Sequence, residues 1–207
     1  GIENTLIGGL AGDALTTGSY NTALGTGALT LDTLGSRSVA VGRNALQAQN
    51  FTSATDAYNV AVGFAAGNDL TTGINNTLIG GLAGDAITTG GSNTAVGYNA
   101  LTANTTGHSN TAVGFEAGLA NTTGIRLTAF GYQAGKAHVA TGTVQNVFVG
   151  NEAGLGNTTG VTNTFIGGSA GAANTTGSQN VAVGTNSLGA NTTAGDNVAI
   201  GNGALGA

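Results

Sequence analysis

Apolar and polar positions alternate along this chain in a pattern that repeats every seventeen residues. Residues 93–109 read NTAVGYNALTANTTGHS, and Asn110 begins the same phrase again. The opening motif is Asn-Thr/Val-x-Val/Ile/Leu-Gly, and its occurrences, two of them with another first residue, start at Asn4, Asn21, Ser38, Asn59, Asn76, Asn93, Asn110, Leu127, Asn146, Asn163, Asn180 and Asn197. A fixed period over residues 1–207 predicts one solenoid array of about twelve stacked coils.

Positions 2 to 4 of each unit, counted from this first residue, have the pattern of a short β-strand. Position 2 is Thr or Val, and position 3 is mostly Ala. Position 4 always holds a large apolar residue, namely Ile7, Leu24, Val41, Val62, Ile79, Val96, Val113, Phe130, Val149, Ile166, Val183 or Ile200. Positions 2 and 4 share a face because strand side chains repeat every two residues. The pattern predicts an all-β, parallel β-solenoid in which the position 4 column is buried.

Both faces of this strand are apolar or small, and such a strand needs cover on both sides. The rest of the unit offers only an Ala-Gly or Ala-Leu pair, such as Ala117 and Gly118, to cover one side. The few apolar side chains of one coil do not offset the entropy of ordering its backbone. We therefore expect the second cover to come from another copy of the chain, and we expect ladders of Asn and Thr between coils.

Position 5 is glycine in all twelve units. It predicts a corner with positive φ, or alternatively a close approach of backbones where chains meet. The residues that follow, such as 98–102, are predicted as a second short strand, which ends at an Asn-Thr-Thr-Gly turn such as residues 104–107. Asn-Thr-Thr also fits the glycosylation sequon, but we interpret it as a turn.

The two longer units, of 21 and 19 residues, carry their extra residues within 47–58 and 136–145. These segments are predicted as surface loops, as binding features or as tolerated slack.

The composition excludes several classes of protein. Only 13 of 207 residues are charged, with a net charge of −5, so a nucleic-acid footprint is not expected. The absence of Cys excludes disulfides and thiolate zinc sites. No apolar run is long enough to cross a bilayer, and no leader opens the sequence. We expect no membrane insertion of this segment, and we interpret it as part of a longer chain.

Catalytic and metal-binding chemistry is not predicted. The carboxylates are scattered over different coils and unit positions, so no residue is assigned as catalytic. His108 and His138 are interpreted as solvated turn residues rather than metal ligands, and no cofactor is expected. Four aromatic residues follow the position 5 glycine and are candidates for contact with a glycan or surface, or alternatively for packing against a neighbouring chain: Phe64, Tyr98, Phe115 and Tyr132.

The repeat resembles known families. Residues 197–201 read NVAIG, residues 38–42 read SVAVG and residues 180–184 read NVAVG, which is similar to the head repeat of YadA-type trimeric autotransporter adhesins. The fuller phrase NTAVGYNALTANTTG is similar to repeats in tail-fibre-type proteins of phages and bacteria. This resemblance implies a homotrimeric, left-handed parallel β-roll whose Val/Ile columns face the core, and it implies attachment to surfaces.

These features together predict a non-enzymatic fibre shaft outside the cell, on a cell surface or a virion. Such a shaft spaces or presents a region that binds a host or a surface, and its partners are expected to be copies of itself and a host-cell surface, glycan or matrix. Two alternatives stay open. One is a self-assembling extracellular filament. The other is a solenoid that binds ice or another crystal surface through its Thr columns.

Overall fold

A computed structural model describes residues 1–206 as an all-β parallel solenoid of about twelve coils, with no helix in this range. The predicted fold class is thereby confirmed at this level. In chain order the strands are β1 (Thr5–Ile7), β2 (Thr22–Leu24), β3 (Gly35–Ser36), β4 (Val39–Val41), β5 (Thr55–Asp56), β6 (Val60–Val62), β7 (Thr77–Ile79), β8 (Thr94–Val96), β9 (Thr111–Val113), β10 (Gly124–Ile125), β11 (Thr128–Phe130), β12 (Gly142–Thr143), β13 (Val147–Val149), β14 (Thr164–Ile166), β15 (Val181–Val183) and β16 (Val198–Ile200).

The strands at positions 2 to 4 form one parallel sheet of twelve strands along the rod. Each strand pairs with the equivalent strand of the next coil in the register that the repeat dictates, as in Thr77↔Thr94 and Ile79↔Val96. Identical positions therefore stack in straight columns. The register is kept across both longer units, where β4 pairs with β6 and β11 pairs with β13.

The extra residues of the two longer units lie at the same corner of the coil. Short parallel pairs enclose them, β3 with β5 and β10 with β12. Their middle residues are exposed at 52–54 and 141–143, while Phe51 and Val144 are buried and anchor the loops. The predicted surface loops are present, and each is attached to the coil by an apolar side chain.

The predicted second strand, at residues 98–102 and their equivalents, is wrong. This segment is a run of turns in which every second residue is left-handed, with φ of 57° at Asn99 and 52° at Leu101. The alternation still aligns backbone groups along the rod, because the Leu101 N–H donates to the Ala117 carbonyl of the next coil at 3.1 Å. Each coil therefore bonds to its neighbours through this segment without an extended strand.

The position 5 glycine forms the predicted corner with positive φ. At Gly97 φ is 135°, a region that side chains rarely adopt. A Cβ there would also lie 2.4 Å from the carbonyl oxygen of Gly114. The close approach that the sequence left open occurs between successive coils of one chain. Both constraints act at this position, and together they account for glycine in every unit.

The core of the solenoid is formed by position 3 rather than position 4. Ala95, Leu78 and Phe148 at position 3 are fully buried, whereas Ile79 and Phe130 at position 4 are 38% and 53% exposed. The prediction that the position 4 column is buried is wrong within the single chain. Position 3 is Ala in eight of the twelve coils, and a large residue occurs there only where position 9 is Gly, so this column fits the narrow interior of the coil.

No coil has a large core side chain at both position 3 and position 9. Coils with a large residue at position 3 have glycine at position 9, in the pairs Leu6/Gly12, Leu78/Gly84, Phe148/Gly154 and Phe165/Gly171. Coils with Leu at position 9 have Ala at position 3, in the pairs Ala23/Leu29, Ala40/Leu46, Ala95/Leu101, Ala182/Leu188 and Ala199/Leu205. A Cβ on Gly171 would lie 2.5 Å from ring carbons of Phe165, so the two positions fill one space. This compensation was not predicted from the sequence.

Buried asparagines at position 1 tie successive coils together. The Asn93 Oδ1 accepts the backbone N–H of Asn110 at 3.0 Å, and its Nδ2 donates to the carbonyl of Gly107 at 2.9 Å. The predicted ladders are confirmed in this form, with backbone groups as the main partners. A second ladder at position 12 is amide to amide, since the Asn174 Nδ2 donates to Asn157 Oδ1 at 2.7 Å.

We expect Asn93→Ala to lower the free energy of unfolding by about 2–4 kcal/mol, because two buried backbone groups lose their bonds to this side chain. The measurement is the urea unfolding midpoint. Thr106→Ala is the matched control, since Thr106 is exposed and its truncation should change stability by less than about 0.5 kcal/mol. Equal effects of the two substitutions would contradict the role assigned to the asparagine column.

Candidate interaction surface

The outward side of the large sheet is an uncharged apolar face, which we call the outer strand face. It consists of positions 2 and 4, and all 24 of its residues are Thr, Val, Ile, Leu or Phe. Position 2 contributes Thr5, Thr22, Val39, Val60, Thr77, Thr94, Thr111, Thr128, Val147, Thr164, Val181 and Val198, and position 4 contributes the large apolar column given above. Most of these side chains are half-buried by their neighbours in the sheet and expose the rest of their surface.

The outer strand face runs the length of the rod. Eleven coil steps of about 4.8 Å give a length of about 53 Å, and two columns separated by about 7 Å give an area on the order of 500 Å². The largest apolar patch on a soluble monomer is about 300–600 Å² and is often functional, so this face is the main candidate for an interaction surface.

An aromatic column borders this face at position 6. The rings of Tyr98 and Phe115 stack with centroids 5.7 Å apart, and those of Phe115 and Tyr132 at 5.4 Å. The structure therefore brings three of the four candidate residues together. Phe64 lies two coils before Tyr98, with Gly81 between them, and the guanidinium of Arg43 is 5.8 Å from its ring centroid. All four rings are 41–53% exposed in the single chain.

A second exposed cluster, at the ends of three successive units, was not predicted from the sequence. The Arg37 guanidinium lies 4.8 Å from the ring centroid of Tyr20 and 5.8 Å from that of Tyr58, and it pairs with Asp56 at 3.0 Å. The hydrogen bond to Asp56 raises the pKa of Arg37. Tyr20, Arg37 and Tyr58 each immediately precede a unit start, so aligning the units by their first residues would have found them. Asp56 belongs to the segment that carries the extra residues of the longer unit.

The two histidines differ in their environments. His108 is exposed, as predicted, whereas the prediction that His138 is solvated is wrong. The His138 ring is fully buried and meets the Phe148 ring edge-on, with centroids 6.2 Å apart. Its Nδ1 accepts a hydrogen bond from Asn157 Nδ2 at 3.1 Å, which places the neutral ring's proton on Nε2. His138 occupies position 12, which points inward in every coil with an Asn-Thr-Thr-Gly turn.

Burial lowers the pKa of His138 to about 4. The unfolded chain binds a proton at its ordinary pKa of about 6.5 while the folded chain does not. Stability should therefore be fully present above pH 6.5 and should fall as the pH decreases toward 4. Between pH 7 and pH 5 this histidine should account for a loss of about 2 kcal/mol.

Urea unfolding at pH 7 and pH 5 measures this loss, with His138→Asn as the matched variant because Asn occupies the same position in the next three coils. The variant should be less sensitive to acid than the original chain by about 2 kcal/mol. An identical loss in both proteins would show that His138 does not carry the pH dependence.

One carboxylate is buried in the solenoid. Asp32 accepts the backbone N–H of Gly35 at 2.9 Å and the Nε2 of Gln49 at 2.6 Å, and Gln49 also bonds to Asn59. Asp32 and Gln49 stand at position 12, where Asn forms the amide ladder in later coils.

On the surface, Glu116 bonds to Lys136 and Gln133, and the hydrogen bond from Lys136 is the main cause that lowers the pKa of Glu116. Both carboxylates make structural contacts.

The scattered acids are not brought together by the fold. Across residues 1–206, no group of three or more His, Asp or Glu side chains is arranged to hold a metal ion. The sequon-like asparagines at 104, 121, 157 and 174 are fully buried, so their amides are inaccessible to a modifying enzyme in the folded coil. The described residues include no helix of the length and apolarity required to span a membrane.

The fold and its repeating surface define the class of this protein as a parallel β-solenoid repeat protein. Comparison with models of protein families, with curated proteins and with solved structures finds no match to the chain. The outer strand face and the columns at its edges are the candidate interaction surface of this chain.

Proposed function

We propose that this chain is a non-enzymatic structural and adhesive shaft outside the cell. It forms a homotrimeric β-solenoid of a surface adhesin or a phage tail fibre, and it spaces or presents a region that binds a host or a surface. The observation that carries the proposal is the outer strand face, which is free of charge over 24 consecutive outward positions on about 53 Å of rod.

The occupant that fits this face best is another copy of the chain. Two copies in parallel present identical columns with the same spacing, so apolar side chains meet apolar side chains on every rung. Three copies around a common axis cover all three faces at once and leave none exposed. Three faces on the order of 500 Å² give about 1,500 Å² of buried surface in total, or about 500 Å² for each pair of chains. A specific pairwise interface buries about 1,200 Å² or more, so the columns that border the outer strand face must also take part in the trimer contact.

A shaft also needs stiffness, and the bonding between coils supplies it. Each coil is joined to the next by the sheet, by the turn segment and by the asparagine columns, which act on different sides of the coil. Bending the rod would stretch bonds on one side without relaxing those on the others. Adhesion follows from multiplicity, because three parallel copies raise the avidity of any weak contact that one copy makes.

The mass of the assembly in solution tests the proposal. A trimer has a mass of about 59 kDa, three times the 19.7 kDa of one chain. Mass photometry at nanomolar and light scattering at micromolar concentrations should both give this value, with circular dichroism confirming β-structure. A folded monomer at micromolar concentration would overturn the proposal. A mass that grows without limit as concentration rises would favour the filament alternative.

One observation favours ice or crystal binding as a second candidate. On the outer strand face, position 2, which is Thr in seven coils and Val in five, and the apolar position 4 form a two-column array on a regular grid. Such a face must stay uncovered to bind a lattice. Inhibition of ice recrystallisation by a monomeric form would therefore support this candidate in place of the trimeric shaft.

A further inference from the structure

The outer strand face cannot by itself set the alignment of the chains in the proposed trimer. Its two columns differ little from coil to coil, since position 2 is Thr or Val and position 4 is Val, Ile or Leu in all coils except that of Phe130. A chain displaced along its neighbour by one coil, about 4.8 Å, would still place apolar side chains against apolar side chains. The alignment must therefore be set by columns whose residues change from coil to coil.

Two such columns border the face, one along each edge. Position 6 lies two residues after position 4. The last residue of each unit lies two residues before position 2 of the next unit, and we call this series the end column. Its members are Tyr20, Arg37, Tyr58, Asn75, Ser92, Ser109, Arg126, Gln145, Thr162, Gln179 and Asp196, and all of them are exposed. Both columns are placed to supply the contact area that the outer strand face alone lacks.

Rotational symmetry decides which edges meet. In a trimer around an axis parallel to the rods, the contact between two chains is heterologous, so one edge of a face meets the opposite edge of the neighbouring face. A rotation without translation also keeps every coil at its own height. The end-column residue before each strand therefore faces the position 6 residue that follows the same strand in the next chain.

Arg126 is the cation that the single chain leaves without a partner. Of the four Lys and Arg side chains, Lys136 and Arg37 form ion pairs and Arg43 lies beside an aromatic ring. Within residues 1–206, the exposed Arg126 side chain forms no ion pair and no cation–π contact. At a seam between chains this guanidinium loses part of its water, so it requires a partner there.

The residue that faces Arg126 across the seam is Tyr132. The two residues stand at opposite ends of β11, which is Thr128–Phe130. One face of the Tyr132 ring stacks on Phe115, with centroids 5.4 Å apart, and position 6 of the next coil is Asn151, so no ring covers the other face. The ring is 46% exposed. A guanidinium packs favourably on an aromatic face of this kind.

A displacement of the chains by one coil would remove this contact. In one direction Arg126 would face Asn151, which has no ring. In the other direction it would face Phe115. The two faces of the Phe115 ring are already taken by Tyr98 and Tyr132, at 5.7 Å and 5.4 Å. The pairing of Arg126 with an open ring face is therefore specific to one register.

The most highly charged level of the seam is compatible with the same register. Before and after β4, Arg37 of one chain would face Arg43 of the next. Asp56 pairs with Arg37 at 3.0 Å and offsets the like charges. Before and after β6, Tyr58 would face Phe64, ring against ring.

We propose that, in the trimer, the Arg126 guanidinium of each chain packs on the Tyr132 ring of the neighbouring chain. Three equivalent contacts at the level of β11 then hold the chains parallel and in register. The inference rests on the proposed function, because the partner is a second copy of this chain. It adds the residues that align the copies.

Cross-linking between introduced cysteines tests the contact, and the chain contains no other cysteine. Arg126→Cys/Tyr132→Cys, treated with a short bis-maleimide, should give a covalent trimer on denaturing gels. A link within one chain would leave the mass of a monomer. Gln179→Cys/Tyr132→Cys is the matched control, because Gln179 is the end-column residue three coils further along, about 14 Å away. The control should stay monomeric on the gel.

Sedimentation equilibrium measures what the contact contributes to assembly. Arg126→Gln removes the charge and keeps a long polar side chain, and it should lower the association constant of the trimer about a hundredfold over three contacts. Arg126→Lys retains the charge and should lose less. Gln179→Ala should leave assembly nearly unchanged, because Gln179 faces Thr185 rather than a ring.

The outcomes separate this contact from the trimer itself. If the original chain is a monomer, the trimeric shaft is rejected and the contact with it. If the chain is a trimer in which Arg126→Cys and Tyr132→Cys do not cross-link, only the contact is rejected. The same holds if Arg126→Gln assembles as tightly as the original chain. Cross-links in the Gln179 control alone would show that the chains are displaced along the rod, which also overturns the contact.

Discussion

Two substitutions in one coil, a large residue to Ala at position 3 and Gly to Leu at position 9, should together preserve the fold. Each substitution alone should be strongly destabilising. Phe165→Ala should lower the free energy of unfolding by about 3–5 kcal/mol, because it opens a cavity in a fully buried column. The Phe165 ring also stacks on Phe148, with centroids 5.4 Å apart, and this contact is lost.

Gly171→Leu alone should also destabilise, by about 3 kcal/mol or more, because its Cβ would lie 2.5 Å from ring atoms of Phe165. Backbone strain is a minor part of this cost. Leucine occupies the same left-handed position in other coils, with φ of 52° at Leu101 and 53° at Leu188. The clash with the ring therefore dominates.

The double variant Phe165→Ala/Gly171→Leu reproduces the arrangement of Ala182 and Leu188 in the following coil. Its stability should lie within about 2 kcal/mol of the original chain, so the two effects should couple rather than add. Urea unfolding of the four proteins measures the coupling. Phe165→Ala/Gly168→Leu is the control, because Gly168 faces outward and leaves the cavity open. If the double variant Phe165→Ala/Gly171→Leu loses as much free energy of unfolding as the two single variants together, positions 3 and 9 do not fill one shared space.

The second large effect is expected from a single charge on the outer strand face. Val96→Glu places a carboxylate at position 4, which one chain tolerates because the side chain is only half-buried. In the proposed trimer three such carboxylates would be buried together without partners. Each costs several kcal/mol, so assembly should weaken by at least about a thousandfold.

Sedimentation equilibrium over a range of concentrations measures this weakening. Thr106→Glu is the matched control, with the same charge at an exposed corner away from the sheet. The control should assemble as the original chain does. Unchanged assembly of Val96→Glu would place the interface elsewhere on the rod, and a loss of β-structure in both variants would point to folding instead.

Much of the fold could be predicted because the repeat fixes the register. Once the period is known, strand pairing between successive units follows. The inward side of the strand could not be chosen in the same way. Thr-Ala-Val is apolar or small on both faces, and size alone suggests that Val is the core residue. Only the position of the opposite wall, formed by residues such as Ala100 and Leu101, shows that the coil has room for Ala.

The candidate surface was predictable in part for the same reason. Tyr98, Phe115 and Tyr132 are one period apart, so their stacking follows from the register. The burial of His138 could also have been found, because it stands at the position of Asn157. The alternation of left-handed residues in the turn segment had a partial signal, because position 9 is glycine in seven of the twelve units. Leucine, which occupies position 9 in the other five units, does not predict positive φ, so the alternation could not be assigned to every coil.

Because every unit pairs with the next in the same register, the rod can gain or lose whole units without a change in its surface residues. Since Thr77 pairs with Thr94 as Thr94 pairs with Thr111, removing residues 76–92 would join two coils that already match. The reach of the molecule can therefore change by about 4.8 Å for each unit gained or lost. Selection could adjust the span between an anchor and a target by copy number alone, without redesign of any surface.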